Sequence, residues 1–425
     1  MGMKIGIVGF GEFSRSFLKL FLTHPDIELV VGAEFMPERR EMVRQKFGIE
    51  RIYETYEQML ESEPELDSVA IFTQRHQHGP MVIRALELGK NVFSAVPLSC
   101  DVDEAFRIIE LVEKKRLIYM AAETCYYFPC AIWCREHFET GQFGRFVYGE
   151  SQYYHDITEM FGSFAGSGGS EWKRIAGIPP MYYSTHSMSM MFLSIGERPV
   201  EVTCMGFEDD IGDGIYGKGM NDWDNPFSNE SALFRMSGGG IARINEFRRC
   251  GTNKPSSYIS SLIGTKGSYM CNGMHHTFTY GNVFGQTPRV EYVSDEINSI
   301  FYTENKARLD MNLDPVRYFC HVGFAPVHDI SRLPPVYRAL QKEKNLMSSL
   351  GHGGSHPFLV DDFVRAVMSG KLPPNNVWDA ATCMIPGVIA HESAMQGGKT
   401  LKIPEIGHAP GDWERIDYSE RKYDL

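Results

Sequence analysis

The sequence predicts an α/β protein: an N-terminal doubly wound parallel sheet, followed by an α+β domain built on an open, mostly antiparallel sheet. Three observations predict this. Up to residue 121, short apolar runs alternate with helix-periodic stretches, as strands and crossover helices do. The first apolar run is followed at once by a glycine-rich turn. After Glu123 the texture changes to longer strand-like runs joined by turns, with few crossovers.

The first strand is the apolar run at Ile5, Ile7 and Val8, too short for a helix. Gly9-Phe10-Gly11-Glu12-Phe13-Ser14 forms the turn, and Phe17, Leu18, Leu20 and Phe21 mark the helix that follows. Ile27–Ala33 is the second strand, and it ends on Glu34. Strand, glycine turn, helix, strand and acid in this order form a dinucleotide fingerprint with a physical basis. Gly9 permits the tight turn, and Gly11 lets backbone approach a pyrophosphate. The helix N-terminus offers unpaired N–H groups and the positive end of its dipole. Ser14 stands where a third glycine is usual and is small enough for close helix–strand packing. Glu34 lies 34 − 9 = 25 positions after the first glycine, where a carboxylate accepts from both ribose hydroxyls and repels a 2′-phosphate. The cofactor expected is therefore NAD.

Helices are expected at Pro37–Phe47, Tyr56–Ser62, Met81–Leu88 and Val102–Lys115, with strands at Asp67–Thr73, Asn91–Ser94 and Leu117–Ala121. The second domain is expected to carry a helix at Phe128–Thr140 and strands at Arg145–Tyr154, Pro199–Phe207, Glu230–Met236, Gly240–Arg248, Ser257–Thr265 and Gly267–Asn272. Phe161–Pro180 and Asp209–Ser228 read as long loops, and Phe358–Met368 and Trp378–Ala394 as closing helices. The domains divide as 1–125 and 126–425.

A net charge of −12 argues against nucleic-acid and anionic-membrane partners and suits a small neutral substrate. No apolar run reaches the roughly 18–20 residues of a membrane span. The nine cysteines lack a CxxC pair or metal-ligand spacing, as expected of thiols in a reducing compartment. With the first strand beginning at once and no leader pattern before it, a cytoplasmic protein is expected. No metal is expected.

Chemistry-bearing residues gather at strand ends. Thr73, Arg75, His76 and His78 follow a core strand, the edge where open α/β sheets bind ligands. Val96 and Pro97 occupy the equivalent position after the next strand and offer no titratable group. Glu123 follows the last strand of the first domain, suited to orienting nicotinamide or to acting as a base. Strand alternation puts Tyr153 and His155 on one face, a candidate acid–base pair. His186 falls in the first turn of a Met-rich helix, whose dipole keeps an imidazole neutral. The glycine-flanked pair His352 and His356 precedes a helix and suits contacts to substrate hydroxyls.

GIVGFGEFS, the Thr73-x-x-His76-x-His78 loop, GKNVFSAVPL, TGQFGRFVYGES, and His186 followed by an apolar helix and GERPVEV together resemble the glucose–fructose oxidoreductase/inositol dehydrogenase (Gfo/Idh/MocA) family. The resemblance implies an N-terminal Rossmann domain, an open-sheet substrate domain, and a homodimer or homotetramer formed through that sheet. Ordinary dehydrogenases of the family carry Glu-Lys-Pro where this chain has Ala95-Val96-Pro97, and an aspartate where it has Tyr182. The lysine that assists proton removal from an alcohol is thus missing, and His186 survives.

A branch of the family with a similar pattern is the NAD-dependent glycosidases typified by bacterial α-N-acetylgalactosaminidase. This chain resembles them at Val96-Pro97, at Glu123, Cys125 and Tyr126, at Tyr153-x-His155-Asp156, at Tyr183-x-Thr185-His186 and at His352–Gly354. That resemblance implies transient oxidation at the sugar C3, elimination across C1–C2, hydration and re-reduction with the cofactor recycled. It implies His186 and Tyr183 near the C3 hydroxyl, Tyr153 as the C2 base, Glu123 with the cofactor, and Trp172, Lys173 and Tyr182 lining a carbohydrate pocket. Two alternatives stay open: a sugar or inositol dehydrogenase relying on His186, and a non-catalytic NAD- or sugar-binding protein.

Overall fold

The computed structural model describes residues 2–251, 256–272, 275–281, 287–297 and 351–416. The chain divides into two compact units, and each is built around its own sheet.

Among the described residues the first unit holds six strands, β1 (Met3–Val8), β2 (Ile27–Ala33), β3 (Ile52–Tyr53), β4 (Ser68–Ile71), β5 (Asn91–Ser94) and β6 (Tyr119–Ala121). They lie in the order β3-β2-β1-β4-β5-β6, and every pairing is parallel. Helices α1 (Glu12–Thr23), α2 (Pro37–Phe47), α3 (Tyr56–Ser62), α4 (His78–Glu87) and α5 (Val102–Lys115) make the crossovers. The local causes are legible. Phe17, Leu18, Leu20 and Phe21 bury one stripe of α1. Asp101 caps α5 by accepting from Glu104 N at 2.9 Å. Gly48 ends α2 in the left-handed conformation.

Helix α4 starts at His78, three residues before the expected Met81, because Pro80 in a first turn removes only an N–H that the helix leaves unpaired. His78 is buried, with Nδ1 2.8 Å from Pro97 O and Nε2 3.2 Å from Thr73 O. One imidazole therefore ties together the segments that follow β4 and β5. The Val96–Pro97 peptide is cis.

The domain division at 126–425 needs correction at its C-terminal end, where residues 351–381 and 406–416 group with the first unit. Helix α11 (Gly351–Ser369) begins earlier than the expected Phe358 and includes the His352–His356 segment. Stacking of the His356 ring on Phe17 at 4.0 Å and pairing of Asp361 with His24 at 3.3 Å hold it to that unit. Asn375, at a φ of 54°, accepts from Ala121 N at 2.9 Å and so extends the hydrogen bonding at the end of β6. Trp413 Nε1 donates to Gly370 O at 2.9 Å.

The second unit holds nine strands among the described residues: β7 (Phe146–Tyr154), β8 (Pro199–Glu208), β9 (Phe227–Met236), β10 (Ile241–Phe247), β11 (Ser257–Gly264), β12 (Gly267–Cys271), β13 (His276–Tyr280), β14 (Arg289–Tyr292) and β15 (Leu401–Lys402). The order is β14-β13-β12-β11-β7-β10-β9-β8-β15, antiparallel except between β7 and β10. The unit also contains α6 (Pro129–Glu139), α7 (Phe161–Gly168), α8 (Trp172–Ala176), α9 (Thr185–Ile195), α10 (Ser294–Ile297) and most of α12 (Val377–Met395). The expected loop at 161–180 is mostly helical. Phe161, Phe164 and Trp172 find an apolar partner in Ile157, Ala176, Ile215 and Tyr216, and that burial outweighs the poor helix propensity of the intervening glycines. The 209–228 stretch is irregular, as expected. Asn221 Nδ2 pins it by donating to Ile215 O at 2.9 Å and Asn225 O at 2.8 Å. Cys320 lies outside the described residues, and the eight described cysteines carry no disulfide.

Burial drives the pKa of His78 down to about 4, from an ordinary 6.5. Between these values the unfolded chain binds a proton that the folded chain refuses, so this residue makes stability fall as pH drops from 6.5 toward 4. Urea unfolding at pH 7, 5.5 and 4.5 is expected to show that loss, with a shallower slope in His78→Gln. An unchanged slope would remove His78 as its source.

Candidate active site

The glycine turn is shaped for a dinucleotide. Gly9 has a φ of +85°, and a Cβ on it would lie 2.7 Å from Phe72 O, so both conformation and space demand glycine. A Cβ on Gly11 would meet nothing within 4 Å, which leaves an open approach to the backbone. Helix α1 has no side-chain cap at its N-terminus, so its first N–H groups are not spent on a capping side chain. Ser14 is fully buried, and its hydroxyl donates to Gly11 O at 3.0 Å. Glu12 at the helix start is exposed, and Phe13 is partly buried.

Glu34 is 3% exposed. Its Oε2 accepts from Phe10 N at 2.8 Å and its Oε1 from Met36 N at 3.0 Å. The carboxylate thus fastens the glycine turn to the end of β2. Each oxygen keeps a second lone pair for a ribose hydroxyl. These residues fit NAD. Of the other expected cofactor residues, Arg75 is half-buried and His76 exposed, whereas His78 is committed to backbone carbonyls. Glu123 is buried just beyond β6, with its carbonyl accepting from Asn375 Nδ2 at 3.2 Å.

The second unit brings the expected acid–base residues together. At the end of β7, Tyr153 OH lies 2.6 Å from His155 Nδ1, and His155 Nε2 lies 3.0 Å from Glu159 Oε1. The carboxylate accepts only, so Nε2 carries the proton and Nδ1 receives the Tyr153 hydroxyl. The sequence reading missed Glu159, although its spacing of four from His155 was the available signal. Helix α9 begins at Thr185, placing His186 in its first turn. The His186 ring stands edge-on to Tyr153 at 5.0 Å and to Tyr183 at 5.2 Å, and is 5% exposed.

Burial raises the Tyr153 phenol well above its ordinary value, and the neighbouring Tyr183 adds to this. Burial also lowers the His155 imidazole. Both groups are therefore neutral near pH 7. The geometry lets the Tyr153 phenol pass its proton to His155, whose imidazolium Glu159 would stabilise. The arrangement follows the logic of a nucleophile–His–acid triad, with a phenol in first place.

Two acids that the sequence reading overlooked anchor this cluster. Glu230 on β9 and Glu246 on β10 lie directly opposite each other and are both buried. Glu230 accepts from Met181 N at 2.8 Å and from His391 Nδ1 at 2.7 Å. Glu246 accepts from Ser187 Oγ and, at 2.9 Å, from Arg248 Nη2. A carboxylate at an inward position of an apolar strand was the signal that could have found them.

The other expected substrate residues have local partners of their own. Lys173 is exposed and donates to Asp213 O at 2.8 Å, while Trp172 packs on Phe161 at 5.4 Å. Tyr182 sets its ring against His391 at 5.4 Å. His352 and His356 belong to the first unit, 3.0 Å apart between ring nitrogens and in edge contact with Phe13. They support the helix of the glycine turn, because α11 returns the chain there.

Glu34→Ala is expected to weaken NAD+ binding about tenfold or more by calorimetry, equivalent to about 1.4 kcal/mol. It should also lower Tm, since Phe10 N and Met36 N lose their acceptor. Unchanged affinity would dismiss the ribose role. His155→Gln is expected to lower kcat about 10²-fold. In the wild type, activity should decline only below pH 6.5, as His155 gains the proton that blocks Nδ1. A variant keeping both the rate and that acid limb would exclude the relay.

Residues 3–123 match the oxidoreductase family with an NAD-binding Rossmann fold (Gfo/Idh/MocA), and residues 334–415 match the C-terminal domain of glycosyl hydrolase 109. A glycosyl hydrolase family 109 protein of Streptomyces niveus is 24% identical over 97% of this chain and 78% of its own length. An alpha-N-acetylgalactosaminidase of Shewanella oneidensis is 22% identical over 97% of this chain and 86% of its own. Among solved structures, an oxidoreductase domain protein from Kribbella flavida superposes with a TM-score of 0.69 at 17% identity, covering 95% of this chain and 100% of its own. Levoglucosan dehydrogenase in complex with NADH and levoglucosan gives 0.67 at 18%, covering 95% and 100%. At such identities the structures speak for the fold alone. This is an NAD-dependent enzyme whose N-terminal domain matches the Gfo/Idh/MocA oxidoreductases, and along its length it resembles glycosyl hydrolase family 109 proteins.

Proposed function

We propose that the protein is a glycosidase that opens the glycosidic bond by transient oxidation and elimination, returning its NAD to the starting state each turnover. The observation that carries the reading is the Tyr153–His155–Glu159 relay beside His186, in a chain with Val96 where a dehydrogenase lysine would stand. A simple alcohol oxidation needs one base. The cluster has two, His186 and the relayed Tyr153, as expected of a reaction that removes one proton from oxygen and another from carbon.

Bound NAD+ supplies a hydride acceptor at the sugar C3 and later returns that hydride. In this reading His186 takes the proton of the C3 hydroxyl, with Tyr183 hydrogen-bonded to the same oxygen. The ketone at C3 acidifies the C2 proton, which Tyr153 removes after its own proton moves to His155. Expulsion of the aglycone from C1 completes the elimination, and water then adds across C1–C2. Redox-assisted cleavage of this kind is an exception to the two-carboxylate mechanism of most glycosidases. The names of the relatives, including an alpha-N-acetylgalactosaminidase, support a carbohydrate substrate.

Purified protein incubated with a panel of α- and β-aryl glycosides in deuterated water tests the reading. Aglycone release without net NADH, and with deuterium at C2, is the expected outcome. NADH accumulating with free sugars or inositols, and no release, would replace it with the dehydrogenase reading. Binding without turnover would leave a sensor.

A further inference from the structure

Two adjacent arginines follow strand β10, and they differ in how many carboxylates they meet. Arg249 meets two carboxylates, Asp209 at 2.7 Å and Asp213, and only its Nε is left without a partner. Arg248 is 5% exposed and meets one carboxylate. Its Nη2 donates to Glu246 Oε2 at 2.9 Å and reaches Tyr183 O at 3.4 Å. Its Nη1 is buried and has no hydrogen-bond partner. The guanidinium sits 4.5 Å from the centre of the Tyr153 ring and 5.4 Å from that of Tyr183. A second buried polar atom without a partner, Thr185 Oγ1, lies in the residue next to His186. Leaving such groups unmet is costly, and most so for a charged one. Here the unmet donor is a cation, and it adjoins the two tyrosines of the acid–base cluster.

We infer that Arg248 is a further catalytic residue, whose Nη1 donates to the substrate oxygen that becomes negative during oxidation. This rests on the reading of His186 and the tyrosines as the reacting cluster, and it holds for the glycosidase and the dehydrogenase alike. As the hydroxyl proton leaves to His186 and the carbon's hydride leaves to the nicotinamide of NAD+, the C–O single bond becomes a carbonyl. The oxygen carries negative charge along the way, and again as an enolate if a proton then leaves the adjacent carbon. A fixed, desolvated N–H donor stabilises that charge without reorganising. The cluster thereby carries a fixed positive charge of its own. Arginine suits the task because it stays protonated and its rigid fork lets one nitrogen hold Glu246 while another faces the ligand.

The test compares wild type with Arg248→Gln, Arg248→Lys and Arg248→Ala, using whichever carbohydrate reaction the wild type performs. Substituting Arg248→Gln is expected to lower kcat about 10²-fold, with NAD+ affinity unchanged. Arg248→Lys should retain part of the rate. Added guanidinium should restore turnover to Arg248→Ala without changing its Tm, and the rate of Arg248→Gln should rise with pH further than that of wild type. Loss of less than threefold in Arg248→Gln would overturn the inference. So would a lowered Tm with no rescue by guanidinium, the behaviour of a strut between two tyrosine rings. Wild-type product analysis decides glycosidase against dehydrogenase, whereas the variant-to-wild-type ratio decides Arg248, so the two can fail separately.

Discussion

The cross-strand pair Glu230 and Glu246 is the constraint on which the second unit's chemistry depends. Two carboxylates facing each other in a buried sheet would repel, and each would lose its hydration. The fold resolves this by turning them to separate sets of donors. Glu230 takes the Met181 amide and His391, and Glu246 takes Ser187 and Arg248. Those donors bracket Tyr182–His186, so the acids fix the start of helix α9 from both sides. Close packing reinforces the anchor: a Cβ on Gly387 of α12 would collide with Met181 O. The orientation of His186 and Tyr183 follows from buried charge that must be satisfied, not from any preference of their own.

The same economy runs through the first unit. Glu34 is both a structural acceptor for the glycine turn and a carboxylate with lone pairs to spare. Ser14 fills the helix–strand contact and returns its hydroxyl to Gly11 O. His78, a ligand candidate by its position alone, holds two strand-end segments together. Residues at the carboxyl edge of a parallel sheet thus divide between binding and bracing, and burial with saturated partners separates the two.

Electrostatics couple Tyr153 to His155. Burial makes the tyrosinate costly and the imidazolium costly, so at neutral pH both rest uncharged. A proton moved from Tyr153 to His155 creates opposite charges 2.6 Å apart, flanked by Glu159 on one side and Arg248 on the other. The charges appear together and stabilise one another, which neither residue achieves by titrating with solvent.

The sequence by itself determined the doubly wound sheet, the glycine turn with Glu34, and Tyr153 beside His155 on one strand face. These features are local: they need only strand and helix periodicity and the conformational demands of glycine. It also marked His186 as the start of a helix. The tertiary structure decided the rest. Glu159 is near in sequence but acquires meaning only when the turn after β7 aims it at His155. Glu230, Glu246 and Arg248 read as ordinary strand residues until β9 and β10 pair and α9 settles over them. His352 and His356, legible as a motif, pack on Phe13 and Phe17 because helix α11 returns to the first unit, a contact more than 330 residues distant in the chain that no local pattern encodes.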